Sequence, residues 1–565
     1  MAWLLLPALL SSVSCNAIVD TDVEQCQTTD DCVAKGPAFA GSVCSPDKVC
    51  TLGGDCTTNQ ECMDRFDGQL AICRQPDRVC VSLKTQDCEQ VFPEDAVAEE
   101  GTIVLGFMGP LKGEFIGNGL PLWEGVQLAV NQLDTFAQGL PLPDGVGRRR
   151  VAFVACHDLD DPVRAGKHLV ETLKVPAIVG PAFSGVTLEV AKKVSIPGGT
   201  LLISPSATST AITDLQDNGL VWRTAPSDAL QAVPLAQLVT ELESNIRAAR
   251  GLSTSDSIRV AVAVKSDAYG LGLTTAVLDL VKFNGKPALD TANSTFFLRT
   301  DYPDPADDPS FDFDVGVIQP MLSFKPDIVL AFGTTESITK VLAGVEVGSP
   351  GPNKPVFIVG DGGRDDELLK LVGMDNALSQ RVVGTLPGRA TALFAQFESE
   401  FRGFHKQKSP GSFADTAYDA TYLLAYSVVA INDPIMTGAK FNDGLKKMVG
   451  GTKVTGGTTG INQALTLLQD KKTIDYDGIS GPLDFDVSTG EAPADIVVWC
   501  TGLDANNQPE FKDSGQYYDA IQNTVTGKRN ACAGLVGASS GGTGGGSGGT
   551  GGGSGGSAGT GGSGG

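Results

Sequence analysis

Between residues 102 and 500 the sequence alternates short, wholly apolar runs with longer stretches whose apolar residues recur at helical spacing. The run 103–107 predicts a buried strand, and the stretch 123–133 predicts the helix that follows it. Regular alternation of this kind is typical of an α/β fold, in which parallel strands form a sheet that helices cover. Further predicted strands are 151–156, 177–180, 201–204, 258–264, 328–332 and 356–359, with helices predicted over 161–173 and 184–194.

The alternating region is longer than one sheet normally accommodates. It covers roughly 400 residues, whereas a single hydrophobic core seldom grows beyond about 250–300 residues. We therefore predict two parallel sheets.

The N-terminal region is distinguished by its cysteines, since ten of the thirteen in the chain lie before residue 90. Eight of them form two similar units, Cys26-x5-Cys32-x11-Cys44-x5-Cys50 and Cys56-x5-Cys62-x10-Cys73-x6-Cys80. Units this short cannot bury enough apolar surface to fold on a core alone, so we predict two disulfides in each. Zinc binding is the competing interpretation, and the absence of CxxC knuckles and of histidine from the region argues against it.

The remaining cysteines allow complete pairing. Once Cys15 is set aside, Cys88, Cys156, Cys500 and Cys532 bring the number of candidate disulfide cysteines to twelve. Pairs between Cys88 and Cys156 and between Cys500 and Cys532 would complete this even count, although a sequence alone does not fix connectivity. Cysteines at this density indicate an oxidising compartment.

Residues 1–15 are typical of an export signal, with a short apolar core, small residues and then Cys15. They resemble a bacterial lipoprotein signal, so we predict an exported periplasmic or cell-envelope protein that a lipid on Cys15 anchors to the membrane. Two features depart from that pattern, because no Lys or Arg precedes the apolar run and Ser12 stands where such signals usually carry Leu. An ordinary secretory signal with an incidental cysteine is the alternative.

Composition and motifs exclude several classes of function. The net charge of −24 and the lack of basic clusters beyond residues 148–150 argue against a nucleic-acid partner. The chain has three histidines, its GxSxG matches fall in the Gly-rich tail after residue 536, and it has neither a P-loop nor HExxH. We therefore predict no catalytic residues and no cofactor. The acidic stretch 301–314 could suggest calcium, but its prolines and the absence of EF-hand spacing favour a solvated loop, so we predict no metal site.

Several short motifs recur in a fixed order along residues 101–500. They are GFMGPLKG at 106–113, WEGVQLAVN at 123–131, DDP at 160–162, IVGPAFS at 178–184, ISPSATS at 203–209, WRTAPSD at 222–228, DAYG at 267–270, YDA at 418–420 and GPLDFD at 481–486. Each motif alone is a weak signal, but together and in this order they resemble the leucine/isoleucine/valine-binding type of periplasmic substrate-binding protein, the type I proteins that serve ABC transporters.

The resemblance implies an α/β fold of two Rossmann-like lobes with parallel sheets, joined by a three-segment hinge and preceded here by a small disulfide-rich module. The implied domains are the module at 16–99, lobe one at 100–226 and 386–475, lobe two at 229–385 and 476–505, a C-terminal extension at 506–538, and a Gly/Ser/Thr-rich tail at 539–565 whose composition predicts disorder.

The resemblance also implies a function. The protein would bind a branched-chain amino acid or a related small polar, amide-like ligand between its closing lobes and deliver it to the permease subunits of an ABC importer. The alternative, motivated by the extra module and tail, is an envelope sensor or interaction protein without transport.

The family's ligand contacts map onto residues in both lobes. In lobe one, Ser184, Thr208 and the backbone of Ser206 and Ala207 match the carboxylate-binding positions, and Phe115 is expected to supply an apolar contact. In lobe two, Tyr269 matches an aromatic cover, and Phe332 stands where relatives often carry tyrosine. The acidic acceptor of the ligand ammonium aligns with Asp361 or its neighbour Gly362.

Overall fold

A computed structural model describes residues 25–538, except 37–38, 40–41, 45–47, 49, 53–55, 76, 374 and 389–390. The predicted signal with Cys15 and the tail at 539–565 therefore lie outside the described residues. Among the described helices, none combines the length and the apolar character needed to cross a membrane.

The first sheet has six strands, and five of them run parallel. The sixth, Gln90–Phe92, pairs antiparallel with the strand Val151–His157 at one edge. In spatial order the strands are Val221–Arg223, Leu201–Ser204, Ala177–Val179, Ile103–Gly109, Val151–His157 and Gln90–Phe92. The central strands are buried on both faces, as the continuous apolar runs of the sequence predict.

Helices from two separate stretches of the chain cover this sheet. One face packs against helices that include residues 392–469, in a core that contains Trp123, Phe397 and Tyr422. The helices that follow strands of the sheet are Ile116–Ala137, Pro162–Lys167, Ser184–Val190, Ile196–Gly198 and Thr210–Thr213. Those of the later stretch are Ala392–Phe404, Ala414–Ile431, Gly438–Leu445 and Ile461–Gln469.

The second sheet has eight strands. Its first five are parallel, and its last three are antiparallel to their neighbours. In spatial order they are Phe297–Tyr302, Val260–Lys265, Ile328–Phe332, Val356–Val359, Val382–Pro387, Ile496–Leu503, Pro509–Asp519 and Thr524–Gly527. The helices of this lobe are Asp228–Arg250, Ala268–Leu278, Gln319–Phe324, Ala343–Gly348, Asp366–Val372 and Asn376–Ser379. The α/β fold class with two parallel-containing sheets is thus confirmed.

The described chain passes between the sheets three times. The first crossing joins Arg223 to the helix Asp228–Arg250, and the second joins the strand Val382–Pro387 to the helix Ala392–Phe404. The third lies further along than expected. Tyr476, Phe485 and Ala492 pack in the core of the first lobe, so we place this crossing between residues 493 and 495 instead of directly after 475.

The structure connects all twelve candidate cysteines in six disulfides, so the predicted disulfide-rich module is confirmed. Within each unit the first cysteine pairs with the third and the second with the fourth, and the other four form the two pairs that complete the count. The bonds are Cys26–Cys44, Cys32–Cys50, Cys56–Cys73, Cys62–Cys80, Cys88–Cys156 and Cys500–Cys532. Each unit has a short helix and a two-stranded hairpin: Thr29–Val33 with Ser42–Cys44 and Cys50–Leu52, and Asn59–Arg65 with Ala71–Arg74 and Val79–Ser82.

The second unit is part of the body of the first lobe. Its Ile72 and Val81 share a core with Leu169 and Val170 on the face of the first sheet opposite the long helices. Just after the unit, Asp87 accepts two hydrogen bonds from Arg164, at 2.6 and 2.8 Å, and this pairing holds the pKa of the Asp87 carboxyl below its ordinary value. The module therefore covers sheet surface that would otherwise be exposed.

Candidate functional site

A cavity of about 620 Å³ lies between the two lobes, beyond the carboxyl ends of several parallel strands. Side chains from both lobes line it, which is the usual position of a ligand site in open α/β sheets. Two predicted residues of lobe one, Ser184 and Ser206, and two of lobe two, Tyr269 and Asp361, are among the lining residues. The fold therefore brings these four together at one cleft.

The wall of the first lobe is positioned by a tight turn at the end of the strand Ala177–Val179. Gly180 has a φ of +110°, and a Cβ there would lie 2.1 Å from the carbonyl oxygen of Met108, so only glycine fits. The chain then enters the helix Ser184–Val190 at Ser184, whose Oγ accepts a hydrogen bond from the Ser209 N–H at 3.2 Å. Ser206 Oγ donates to the Ala182 carbonyl at 2.8 Å. Two hydroxyl groups are thus fixed on the cavity wall.

The wall of the second lobe is built around Tyr269. Asp267 caps the helix Ala268–Leu278 by accepting from the Gly270 N–H at 2.7 Å, which places Tyr269 in the first turn. The Tyr269 hydroxyl donates to Asp361 Oδ1 at 2.8 Å and accepts from the Gly362 N–H at 3.1 Å. A Cβ on Gly362 would lie 2.8 Å from the carbonyl oxygen of Gly333, so this neighbour has no room for a side chain. Asp361 is therefore the carboxylate that this turn presents to the cavity.

A second buried carboxylate, which the sequence analysis did not single out, lies near Asp361. Asp228 is fully buried at the start of the helix Asp228–Arg250, and neither of its oxygens has a hydrogen-bonding partner among the described residues. Burial raises the pKa of both carboxyl groups, and the charge of Asp361 raises that of Asp228 further, while the nearby Thr208 hydroxyl and then the charge of Arg223 lower it. Asp228 ends the WRTAPSD motif, which was the sequence signal that could have found it.

Three predicted contacts stand behind the cavity wall. Ala207 and Thr208 are almost completely buried, and the Thr208 Oγ1 has no hydrogen-bonding partner among the described residues. Phe332 is the last residue of the strand Ile328–Phe332, and its side chain packs in the core of the second lobe. The cavity therefore receives no surface from these side chains.

Phe115 lies at the interface between the lobes. Its ring packs edge to face on Phe183, a cavity-lining residue, with centroids 5.8 Å apart. The buried ammonium of Lys265, from the other lobe, lies 5.8 Å from the Phe115 ring and 5.9 Å from the Phe183 ring. Burial alone lowers the pKa of Lys265, but the carboxylates around it, Glu336 first, outweigh burial and raise it. A fixed positive charge of lobe two is thus held against two aromatic rings of lobe one.

The two lobes also touch through hydrogen bonds. Ser209 Oγ donates to the Ala268 carbonyl at 2.8 Å, and Arg364 Nη1 donates to Ser412 Oγ at 3.0 Å. These contacts join the lobes through residues that surround the cleft.

Asp158, next to the strand Val151–His157, offers a test of the electrostatics behind the cleft. It is fully buried, and burial raises its pKa to about 7. As the pH rises from about 4 to 7, the unfolded chain loses this proton while the folded chain keeps it, so wild-type stability falls. Asp158→Asn has no proton to lose and should not show this fall. We therefore expect the free energy of unfolding of the variant, minus that of the wild type, to be larger at pH 8 than at pH 4 by up to about 4 kcal/mol.

Urea denaturation at the two pH values measures the effect. Asp307→Asn, on an exposed loop, is the matched control and is expected to behave as the wild type does. A gain that is equal at both pH values would contradict the buried, protonated carboxyl.

Comparisons with known proteins agree with this architecture. A model of the family described as periplasmic binding protein matches residues 102–469. The branched-chain amino acid transporter substrate-binding protein LivJ of Streptococcus pneumoniae, solved with isoleucine, has a similar fold, with a TM-score of 0.53 and 18% identity over 72% of this chain and 98% of its own.

Two further solved structures are similar at comparable levels. The leucine-binding protein LivK of Thermotoga maritima gives a TM-score of 0.52 and 17% identity, over 73% of this chain and 98% of its own. A solute-binding protein of an ABC transporter from Rhodopseudomonas palustris, in complex with 3,4-dihydroxybenzoic acid, gives a TM-score of 0.53 and 15% identity, over 75% of this chain and 99% of its own. A search of curated proteins returns no match.

Proposed function

Because the chain belongs to the periplasmic binding protein family, whose members are extracytoplasmic solute receptors of the ABC-transporter type and not enzymes, we propose that it is the receptor of an ABC importer. Its lobes would close on a branched-chain amino acid or a related small polar ligand. The observation that carries this proposal is the cavity in which the hydroxyls of Ser184 and Ser206 and the Tyr269–Asp361 pair lie together.

The two walls differ in the chemistry that they offer. The first lobe presents the Ser184 hydroxyl, which accepts from the Ser209 N–H and can donate its own proton to a ligand carboxylate without placing a full positive charge beside it. The Ser206 hydroxyl, whose proton is directed to the Ala182 carbonyl, can only accept from a ligand in this arrangement. The second lobe presents the carboxylate of Asp361, which is oriented by Tyr269 and can accept from a ligand ammonium. A zwitterion would therefore connect the lobes through its two opposite charges.

This connection supplies a mechanism. A ligand that contacts both walls binds the closed form more tightly than the open form, and it shifts the population towards closure by that difference in affinity. The interlobe contacts from Ser209 to Ala268 and from Arg364 to Ser412 would break if the lobes separated, and we propose that the form that keeps them docks on the permease subunits.

Anchoring completes the proposed function. We propose that Cys15 carries a lipid that holds the receptor at the membrane while the two lobes remain in the aqueous compartment. The six disulfides fit the oxidising environment that this location provides.

Calorimetric titration of the purified protein tests ligand binding. We expect at least one amino acid or small acid to bind, and Ser184→Ala to weaken that binding by roughly tenfold, because a hydrogen bond to a charged group contributes about 1.5–3 kcal/mol. Ser244→Ala, on an exposed helix surface, is the matched control and is expected to leave affinity unchanged. Absence of binding across amino acids, amides and aromatic acids would refute the proposed function.

A further inference from the structure

The cavity extends well beyond the four residues that face a small zwitterion. It is also lined by a second group of side chains from three parts of the chain, which we call its second end. These are Arg364, Phe394, Arg402, Lys408, Ser412 and Phe511. The volume of about 620 Å³ lies within the roughly 300–1,000 Å³ that pockets for larger small molecules occupy. A short aliphatic side chain would leave this second end unused.

Three basic residues line the second end, and two of them are already paired. Arg402 lies 2.8 Å from Glu398, and the Lys408 ammonium lies 2.8 Å from both oxygens of Glu124. Arg364 differs, because among the described residues no carboxylate lies within ion-pair distance of it. Its Nη1 donates to Ser412 Oγ, and its Nε is buried with no hydrogen-bonding partner in the part of the chain that the structure describes. The Arg364 guanidinium remains charged near neutral pH, since burial lowers its pKa only to about 10.

The position of Arg364 is fixed by the C-terminal part of the chain. Its guanidinium stacks over the ring of Phe511 at 4.5 Å, and Phe511 packs edge to face on Trp499 at 5.0 Å. The strand Pro509–Asp519 that carries Phe511 pairs with Ile496–Leu503, and the Cys500–Cys532 disulfide ties this region together. Phe511 lies beyond residues 102–469, which the family model matches. The second end is therefore built partly from this chain's own extension.

The nearby carboxylates do not take up this positive charge. Asp365 caps the helix Asp366–Val372, where its Oδ1 accepts from the Glu367 N–H at 2.6 Å and its Oδ2 accepts from the Thr335 hydroxyl at 2.7 Å. Glu398 is engaged by Arg402. Asp366 and Asp415 lie close enough to raise the Arg364 pKa but not to form an ion pair with it. Glu510, which also lines the cavity, lies 3.5 Å from the Lys512 ammonium. Arg364 is therefore the basic residue at this end that has no ion-pair partner among the described residues.

We propose that Arg364 receives a second anionic group of the ligand, so that the substrate class is an amino acid whose side chain ends in a carboxylate. The α-carboxylate and α-ammonium of this ligand contact Ser184 and Asp361, and its distal carboxylate accepts hydrogen bonds from the Arg364 guanidinium over Phe511. This inference rests on the proposed receptor function and narrows its ligand.

Titration calorimetry with the full purified protein tests the inference, with L-glutamate and L-2-aminoadipate compared with L-glutamine and L-leucine. We expect at least one of the two acidic amino acids to bind tenfold or more tighter than both neutral ones, because a hydrogen bond to a charged partner is worth about tenfold to a hundredfold. Arg364→Gln is expected to bring the ratio of acidic-ligand affinity to neutral-ligand affinity close to one. Arg402→Gln, which removes the same charge from a paired site, is expected to preserve this ratio.

The ratio is measured within one variant, so a reduced fraction of folded protein does not change it. Ser412→Ala breaks the interlobe hydrogen bond but keeps the guanidinium, and it is expected to preserve the acidic preference. Equal binding of acidic and neutral ligands by the wild type would overturn the inference and leave the receptor function standing. So would an equal weakening of all ligands by Arg364→Gln, which would make Arg364 an interlobe contact only. If none of the four ligands binds but another amino acid does, only this inference falls; if no small solute binds at all, both fall.

Discussion

Asp361→Asn is expected to weaken ligand binding by at least about 30-fold while leaving the unliganded protein as stable as the wild type or more stable. Removing one partner of a buried, hydrogen-bonded charge pair costs about 2–5 kcal/mol of binding free energy. In the unliganded protein the same carboxylate is buried near Asp228 and its pKa is raised by burial, so its negative charge opposes folding. The substitution therefore separates affinity from stability.

The pH dependence follows from the same shift. The pKa of Asp361 in the folded protein lies above its ordinary value. As the pH rises from the ordinary value to the raised one, Asp361 lowers the free energy of unfolding of the wild type, and Asp361→Asn lacks this contribution. An ammonium ligand binds the ionised carboxylate, so wild-type affinity decreases as the pH falls through the raised pKa.

Calorimetry and thermal unfolding, each run from pH 4 to 8, measure the two effects. Asp228→Asn is the matched control, because it also removes a buried carboxylate but one that lies behind the cavity wall. We expect it to raise stability and to change affinity by no more than a few-fold. Loss of stability together with affinity in Asp361→Asn would show a purely structural role.

Removing the Cys88–Cys156 disulfide is expected to lower the free energy of unfolding of the first lobe by about 4 kcal/mol. The bond closes a loop with a sequence separation of 68, and loops of about 15 and 100 residues correspond to roughly 3 and 4.7 kcal/mol. Both cysteines are also fully buried in the core that the second cystine unit shares with the sheet. The double variant Cys88→Ala/Cys156→Ala therefore loses both the cross-link and packing.

Urea denaturation followed by tryptophan fluorescence measures this loss, since Trp123 and Trp222 report on the first lobe. The matched control is Cys26→Ala/Cys44→Ala, which removes a disulfide from the first cystine unit, outside that shared core. We expect the control to leave the transition of the lobe almost unchanged. Equal shifts in the two variants would mean that Cys88–Cys156 has no special relation to the lobe.

The sequence predicted those parts of the fold whose signal is local. Continuous apolar runs such as residues 260–264 in the strand Val260–Lys265 identify central parallel strands because both of their faces are buried. The edge strand Phe297–Tyr302 has an exposed face and polar residues, and the antiparallel strand Pro509–Asp519 is only partly buried, so neither has such a run. Whether these two segments form strands therefore depends on neighbouring strands that are distant in sequence.

The same distinction applies to the site. Ser184 and Tyr269 lie just after turns that the motifs specify, and both reach the cavity. Thr208 and Phe332 also lie near strand ends, but the direction of a side chain there depends on how the end of the strand turns against the rest of the lobe. The proposed role of Arg364 rests on the lack of a carboxylate within ion-pair distance among the described residues, and on the ring of Phe511, which follows Arg364 by more than a hundred positions. No local pattern encodes either feature.

The cystine unit that shares a core with the first lobe has a consequence for biogenesis. As long as the thiols are reduced, this unit lacks the cross-links that replace a core of its own, and one face of the first sheet lacks its cover. The newly made chain would therefore remain incompletely packed in a reducing cytoplasm. An incompletely folded chain of this kind could still pass through a secretion channel. Oxidation after translocation would then act as the final folding step, so that a binding-competent receptor matures only on the side of the membrane where its solute is found.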